Sequence, residues 1–347
     1  MYRKTSSERT ELSELGEFGL IKRISGFVEL KNHSTLKGIG DDAAVISAEG
    51  GEILVSTDLL AEGIHFDLSY IPLKHLGYKA ATVNFSDIAA MNGTPEQITV
   101  GIALSSRISL EAVDELYEGI RLACKNYNVD LVGGDTSASA SGLFISVTVI
   151  GRAGKDEIVY RNGAQLNDII FVSGDLGGAY MGLLLLKREK RVFEANPEMQ
   201  PELSGYDYIL QRQLKPEPRT DIIKRLKEAK VKPTSMIDIS DGLASEILHI
   251  CEESGKGAAV YEEKIPIDPV TVSMAEELKI DQTIAALNGG EDYELLFTIS
   301  QNDFEKVKNI PGITPVGHIT EGGANLVSRS GSLVPLTAQG WDAFMNK

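Results

Sequence analysis

Apolar and polar residues alternate through Ala43-Ala-Val-Ile-Ser47 and Glu52-Ile-Leu-Val-Ser-Thr57, a period of two that predicts paired strands joined by a Gly50-Gly51 turn. Pro72 opens a helical pattern reaching about Met91, where Asn92-Gly93 stops it. The pattern then predicts a strand over 97–104, a helix over 110–126, a short strand over 129–132 and a strand over 143–152. A polar stretch around Gly154-Lys-Asp-Glu157 and Arg161-Asn-Gly163 follows, and the domain boundary is placed there, dividing the chain into 1–153 and 154–347. In the second part, strands are predicted over 168–173, 236–240, 293–299 and 316–319. Helices are predicted up to Lys187, over 241–254 and over 303–308, with 188–218 read as helix plus loop. The mixture does not follow simple βαβ alternation, so the expected fold class is α+β or α/β in two domains.

At 347 residues the chain can bury two cores. Its net charge of −16 argues against nucleic acid or an anionic membrane as partner, but allows a polyphosphate ligand if divalent cations lie between. Cys124 and Cys251 fall in predicted helices without metal-ligand spacing and read as buried thiols of a reducing cytosol. The first ten residues hold no apolar signal core, and Leu183 to Leu186 is too short to span a bilayer. A cytoplasmic location is expected.

Six short segments set acidic residues among glycine, serine and small apolar neighbours. They are Gly38-Ile-Gly-Asp-Asp-Ala-Ala44, Ser56-Thr-Asp-Leu-Leu60, Asn84-Phe-Ser-Asp-Ile-Ala-Ala-Met91, Gly133-Gly-Asp-Thr136, Ile237-Asp-Ile-Ser-Asp-Gly242 and Asn288-Gly-Gly-Glu-Asp-Tyr-Glu294. A carboxylate that loses water needs a cation or strong hydrogen bonds in exchange. With few histidines and cysteines, oxygen ligands point to Mg²⁺, which commonly accompanies phosphate. Asp87 shares a helical stripe with Val83 and Met91, so it faces a partly apolar environment rather than open solvent. Asp238 and Ser240 project from one face of a strand, while Asp241 sits at a helix start, where it could instead cap amides. Asp58 is placed at a strand end with Ser56 on its face and Thr57 opposite; Asp42 and Asp135 follow glycine-rich turns and could be turn aspartates. No Gly-x-x-x-x-Gly-Lys-Ser/Thr loop is present, and Gly174-Asp-Leu-Gly-Gly178 fits a phosphate nest or close strand–helix packing equally well.

In order, these segments resemble the family that includes aminoimidazole ribonucleotide synthetase, selenophosphate synthetase and the thiamine-monophosphate kinases, the last most closely. The similarity runs from Gly16-Glu-Phe-Gly-Leu20 to Gly340-Trp-Asp-Ala-Phe344. Asn92-Gly93 after Met91 departs from the more usual Gly-Ala, and Lys187 to Asn196 matches poorly. The resemblance implies ATP- and Mg²⁺-dependent conversion of thiamine monophosphate to thiamine pyrophosphate, the last step of that cofactor's biosynthesis. It implies a two-domain fold of the aminoimidazole ribonucleotide synthetase type and a homodimer paired through the N-terminal sheets, with ATP near the subunit interface. Several Mg²⁺ ions would be served by Asp42, Ser56, Thr57, Asp58, Asp87, Asp135, Asp238 and Asp241, with Ser56 and Thr57 contributing either hydroxyl or backbone carbonyl oxygen. ATP would meet Tyr117, Gly134, Arg161 and Ser240; His65, Glu291 and Trp341 would meet the thiamine substrate.

The substrate nucleophile would be an anionic phosphate oxygen, so no general base is expected and transfer would be direct and in line. Selenophosphate synthetase would show a reactive Cys in a Gly-rich segment, absent before Gly38, and a hydrogenase-maturation relative a Pro-Arg-x-Cys tail. A non-catalytic Mg-nucleotide binding protein is the alternative of another class, separable by multiple-turnover ADP release.

Overall fold

The structure is a computed structural model and describes residues 16–28 and 30–339; Trp341 lies outside the described residues. After α1 (Gly16–Ser25), a six-stranded sheet comprises β1 (Thr35–Lys37), β2 (Ala44–Ala48), β3 (Gly51–Ala61), β4 (Thr94–Leu104), β5 (Asp130–Ala138) and β6 (Phe144–Ala153), in the order β1-β2-β3-β6-β4-β5. Neighbours are antiparallel except β4 and β5, which run parallel. Two helices, α2 (Leu73–Ala90) and α3 (Leu110–Tyr127), pack on each other and form one core with the sheet. They approach through glycine: a Cβ on Gly77 would lie 1.9 Å from the Leu116 carbonyl oxygen, and one on Gly119 1.9 Å from that of Lys74.

The seven-stranded second sheet comprises β7 (Ile169–Ser173), β8 (Ser235–Ile239), β9 (Gly257–Tyr261), β10 (Glu294–Ile299), β11 (Ile313–Thr320), β12 (Ala324–Val327) and β13 (Leu333–Pro335), in the order β13-β12-β9-β11-β7-β10-β8. Around it lie α4 (Gly178–Ala195), α5 (Asp207–Leu214), α6 (Thr220–Glu228), α7 (Leu243–Ser254), α8 (Pro269–Leu278), α9 (Gln282–Asn288) and α10 (Phe304–Val307). Strands β8 and β10 are buried along their whole length, which explains their near-continuous apolar runs. The last turn of α2 crosses to this half: Ala89 and Ala90 join a core cluster with Phe171, Met236, Leu295 and Phe297. That contact sets Asp87 against the edge strand β8.

Several elements differ from the sequence expectation. Strand β3 does not stop at Thr57; it pairs with β6 continuously from Glu52 to Ala61, so Asp58 lies within a strand. Strand β5 runs to Ala138 and contains Gly133-Gly-Asp135, which the alternation had placed in a following turn. Helix α4 continues past Lys187 to Ala195, and α7 begins at Leu243 rather than at Asp241. Strands β9, β12 and β13 and helices α8 and α9 were not anticipated. The Asp268-Pro269 pair at the start of α8 is an N-cap followed by proline, a signal present in the sequence.

Candidate active site

Three carboxylates converge where α2 meets β8. One oxygen each from Asp42, Asp87 and Asp238 lies within 4.8 Å of the others. Asp238 is 4% exposed and Asp42 7%, while Asp87 is half-buried. Each is held by a partner: Ser56 Oγ donates to Asp87 Oδ2 at 2.6 Å, and Ser86 Oγ to Asp238 Oδ2 at 2.7 Å. The Arg161 guanidinium grips Asp42 with two bonds of 3.0 Å from Nε and Nη2.

Burial, followed by the charges of Asp58 and Asp238, pushes the Asp87 carboxyl well above the usual range. Burial, then Asp42, does the same to Asp238. Asp41, alongside, is raised to about 6 by burial and by Asp42. Arg161 on Asp42 and Lys37, 3.4 Å from Asp41, are outnumbered by the carboxylates gathered here, so the cluster fits a bound cation. The donors are all oxygen, which suits a hard ion such as Mg²⁺.

Two cavities open beside the cluster. The smaller, about 160 Å³, is bordered by Asp58, Asp87 and Asp238. The larger, about 320 Å³, is lined by Phe66, Tyr70, Leu183, Lys187 and Asp241 among others. His65, Ser240, Glu291 and Tyr293 line both. The larger is of a size for a small organic ligand, with a few polar groups among apolar walls.

Glu291 receives Lys79 Nζ at 2.8 Å and Gln213 Nε2 at 2.8 Å. Burial opposes its charge, but Lys79 and these bonds outweigh that and hold the carboxyl below its usual range. His65 Nδ1 accepts the Ala61 amide at 3.0 Å, and burial lowers its pKa, favouring the neutral ring. The backbone ties cavity to cluster: Glu291 N donates to Ser240 O at 2.6 Å and Tyr293 N to Ile239 O at 2.8 Å.

Of the residues expected at a site, the structure thus groups Asp42, Ser56, Asp58, Asp87, Asp238, Asp241, Arg161, Ser240, His65 and Glu291. Asp241 is not the cap of α7; Gly242 occupies that position, and the Asp241 amide donates to Glu246 Oε1 at 2.9 Å. The Thr57 side chain turns to the other face of β3, where its hydroxyl bonds Val147 O and Thr148 Oγ1 at 3.0 Å each. Gly134 and Asp135 stand in the exposed strand β5, with β4 and β6 between them and β3, and so are apart from the carboxylate cluster within this chain. Gly134 has a local reason: a Cβ there would lie 2.0 Å from Val100 O on β4. Tyr117 packs against the core under α3 and lines neither cavity.

The Gly174–Gly178 loop resolves towards packing, because Gly177 N and Ala179 N donate to the buried Asp292 carboxylate at 2.7 and 3.2 Å. Sequence reasoning missed Lys79, Ser86, Tyr70, Lys187, Gln213 and Tyr293. Lys79 was findable, since it precedes Val83 by four residues on the Asp87 stripe.

A carboxylate cluster between two such sheets, beside a ligand-sized cavity, defines a candidate cation-dependent enzyme site in a mixed α/β protein. The family described as AIR synthase related protein, N-terminal domain, matches residues 40–153. Thiamine-monophosphate kinase of Bacillus subtilis is 36% identical over 315 residues, covering 88% of this chain and 92% of the relative. Its counterpart in Aquifex aeolicus is 37% identical over 311 residues, covering 90% and 94%. A solved structure described as AaThiL complexed with AMPPCP and TMP superposes with a TM-score of 0.84 at 34% identity, covering 97% of this chain and all of that one. The chain belongs to the thiamine-monophosphate kinase family.

Proposed function

We propose that this chain transfers the terminal phosphoryl group of ATP to the phosphate of thiamine monophosphate, yielding thiamine pyrophosphate and ADP. A bond forms between a substrate phosphate oxygen and the γ-phosphorus; the bond to the β–γ bridging oxygen breaks, and its electron pair leaves with ADP. The observation carrying the reading is the Asp42–Asp87–Asp238 cluster opening onto a cavity that contains the Lys79–Glu291 pair.

The obstacle is repulsion between two anions. Unit charges about 4 Å apart repel by about 4 kcal/mol at an effective dielectric of 20, and polyphosphates multiply this. Bound Mg²⁺ supplies neutralising charge at the phosphates. Asp42, Asp58, Asp87, Asp238 and Asp241, with the Ser56 hydroxyl, would hold it. Arg161 orients Asp42, and Ser240 offers a hydroxyl at the mouth shared by the two cavities. In the larger cavity, Glu291 presents negative charge to a cationic thiazolium, Tyr70 offers a ring face, and the Lys187 ammonium can meet phosphate. Residues 1–153 would carry ATP, Mg²⁺ and the dimer contact, and 154–347 would complete the phosphate and substrate site. A homodimer suits the β5 edge, whose nine residues are all exposed, Leu131 and Val132 among them. Gly134 would meet ATP, and Asp135 the Mg²⁺ that accompanies it, from that edge. The acidic chain fits a cytoplasmic enzyme; among the described residues no helix is long and apolar enough to cross a membrane.

The test is incubation with ATP, Mg²⁺ and thiamine monophosphate, with chromatographic detection of thiamine pyrophosphate and ADP. Free thiamine is the control, because its alcohol would call for a base. Product from thiamine alone, or none from the monophosphate, would overturn the reading.

A further inference from the structure

The segment Gly290–Tyr293 is held in a backbone conformation it would not choose alone. Gly290, Glu291 and Tyr293 have φ of +70°, +58° and +51°, and two of these are not glycine. Such residues persist only where their surroundings fix them. Side chains along the segment divide by parity. Glu291 and Tyr293 line both cavities, whereas Asp292 and Glu294 are 1% and 2% exposed on the opposite side.

One side chain, Arg212, reaches both members of the buried pair, while the Gly177 and Ala179 amides also donate to Asp292. Arg212 on α5 donates from Nη1 to Glu294 Oε1 at 2.8 Å and from Nη2 to Asp175 O at 2.9 Å, with Nη2 3.5 Å from Asp292 Oδ1. Arg219 Nη1 and Ser173 Oγ complete Glu294 at 2.6 and 2.5 Å. The next residue of α5 grips the other face: Gln213 Nε2 binds Glu291, and Gln213 O accepts Lys79 Nζ at 3.1 Å. Consecutive residues of one short helix therefore hold both sides of the segment.

We propose that Arg212 is a positioning residue for the thiamine-phosphate pocket: through Asp292 and Glu294 it fixes the left-handed turn that presents Glu291 and Tyr293 to substrate. It touches neither cavity. The inference rests on the function proposed above and adds a residue no motif of that function required. Because the turn borders the larger cavity, loss of Arg212 weakens the hold on thiamine monophosphate more than that on ATP. A merely structural arginine would not discriminate between the two.

The experiment compares Arg212→Lys and Arg212→Met with the unaltered chain. ADP release is followed against each substrate at saturation of the other, and thiamine monophosphate binding is measured calorimetrically with a non-hydrolysable ATP analogue present. Arg212→Met raises the KM and Kd for thiamine monophosphate about tenfold and leaves the KM for ATP within about twofold, with Arg212→Lys between them. If Arg212→Met shows no cooperative melting, the charge-balanced double variant Arg212→Met with Glu294→Gln replaces it under the same expectation. Equal rises for both substrates, or an unchanged KM for thiamine monophosphate in a folded variant, overturn the proposal. Neither turnover nor binding by the unaltered chain would instead overturn the functional reading, and this inference with it.

Discussion

Asp87 and Asp238 sit where burial and neighbouring carboxylates oppose their charge. In the ion-free protein each faces other carboxylates with its hydration reduced, which is why both hold their protons more tightly than usual. Asp87→Asn and Asp238→Asn remove that repulsion, so ion-free melting is expected to be unchanged or raised, by about 1 kcal/mol at most. Turnover is expected to fall at least about a hundredfold, as when an electrostatic group is lost from a reacting centre. Thermal scans beside ADP release check the pair; a variant that melts early and turns over normally refutes it. Lys79 behaves oppositely. It is 3% exposed and paired with the half-buried Glu291, so Lys79→Met leaves that carboxylate with Gln213 and should cost about 1–3 kcal/mol in denaturant unfolding. A cost below about 1 kcal/mol would mean that water reaches Glu291 freely. These two cases mark what single residues disclose in a sequence. An aspartate among alanines and serines is conspicuous because nothing nearby hydrates it. A lysine in a helix looks like surface until a distant segment, here Glu291, supplies its partner. Thr57 was a matter of strand parity: the notion of its facing away from Ser56 holds, and its hydroxyl is spent on β6.

At the scale of elements, α2 is the central part, carrying Lys79, Val83 and Asp87 past the cavity and ending in the second half's core. Its aim depends on how closely α3 lets it lie. Gly→Ala within a helix ordinarily gains about 1 kcal/mol from propensity. At Gly77 and Gly119 the new methyl would meet backbone oxygen at 1.9 Å, which cannot be relieved by a side-chain turn. Gly77→Ala and Gly119→Ala are therefore expected to destabilise by about 3 kcal/mol or more, since overpacking outweighs propensity. Denaturant midpoints measure this, and a stabilised variant would show the helices able to separate without cost. Period and punctuation made α2, α3, β4, β6 and β10 readable. Strand β5 was cut short because its glycines resemble a turn, although Gly134 is there to let β4 approach. Strands β9 and β12 are only five and four residues long, too short for a clear period, and they pair in parallel with each other. The left-handed turn at 290–293 was invisible, since only Gly290 signals it and Glu291 and Tyr293 do not.

Taken whole, the molecule places its charge conflict at the junction of its two halves, with Asp42 and Asp87 from the first and Asp238 from the second. Ion binding there is thereby linked to the stability of the entire chain. Asp41 and Asp292 lie at about 6 when folded against 3.8 unfolded, and Asp87 and Asp238 are displaced upward as well. A carboxyl whose folded pKa is raised contributes stability that is complete below its unfolded value and is lost as pH climbs through its folded one. Without divalent ion, these groups make the protein progressively less stable as pH rises from about 4 through about 6 and beyond. Mg²⁺, if held there as proposed, would act in the other direction, because it would bind the deprotonated carboxylates and displace protons at lower pH. Its stabilisation, RT ln(1 + [L]/Kd), therefore grows with pH. Melting temperatures taken with Mg²⁺ and with a chelator should separate more widely at pH about 8 than at about 5.5, and calorimetry in buffers of different ionisation enthalpy should show proton release on Mg²⁺ binding. A separation that stays constant, or narrows towards alkaline pH, would remove Mg²⁺ from this junction and leave Arg161 as the cluster's main counter-charge.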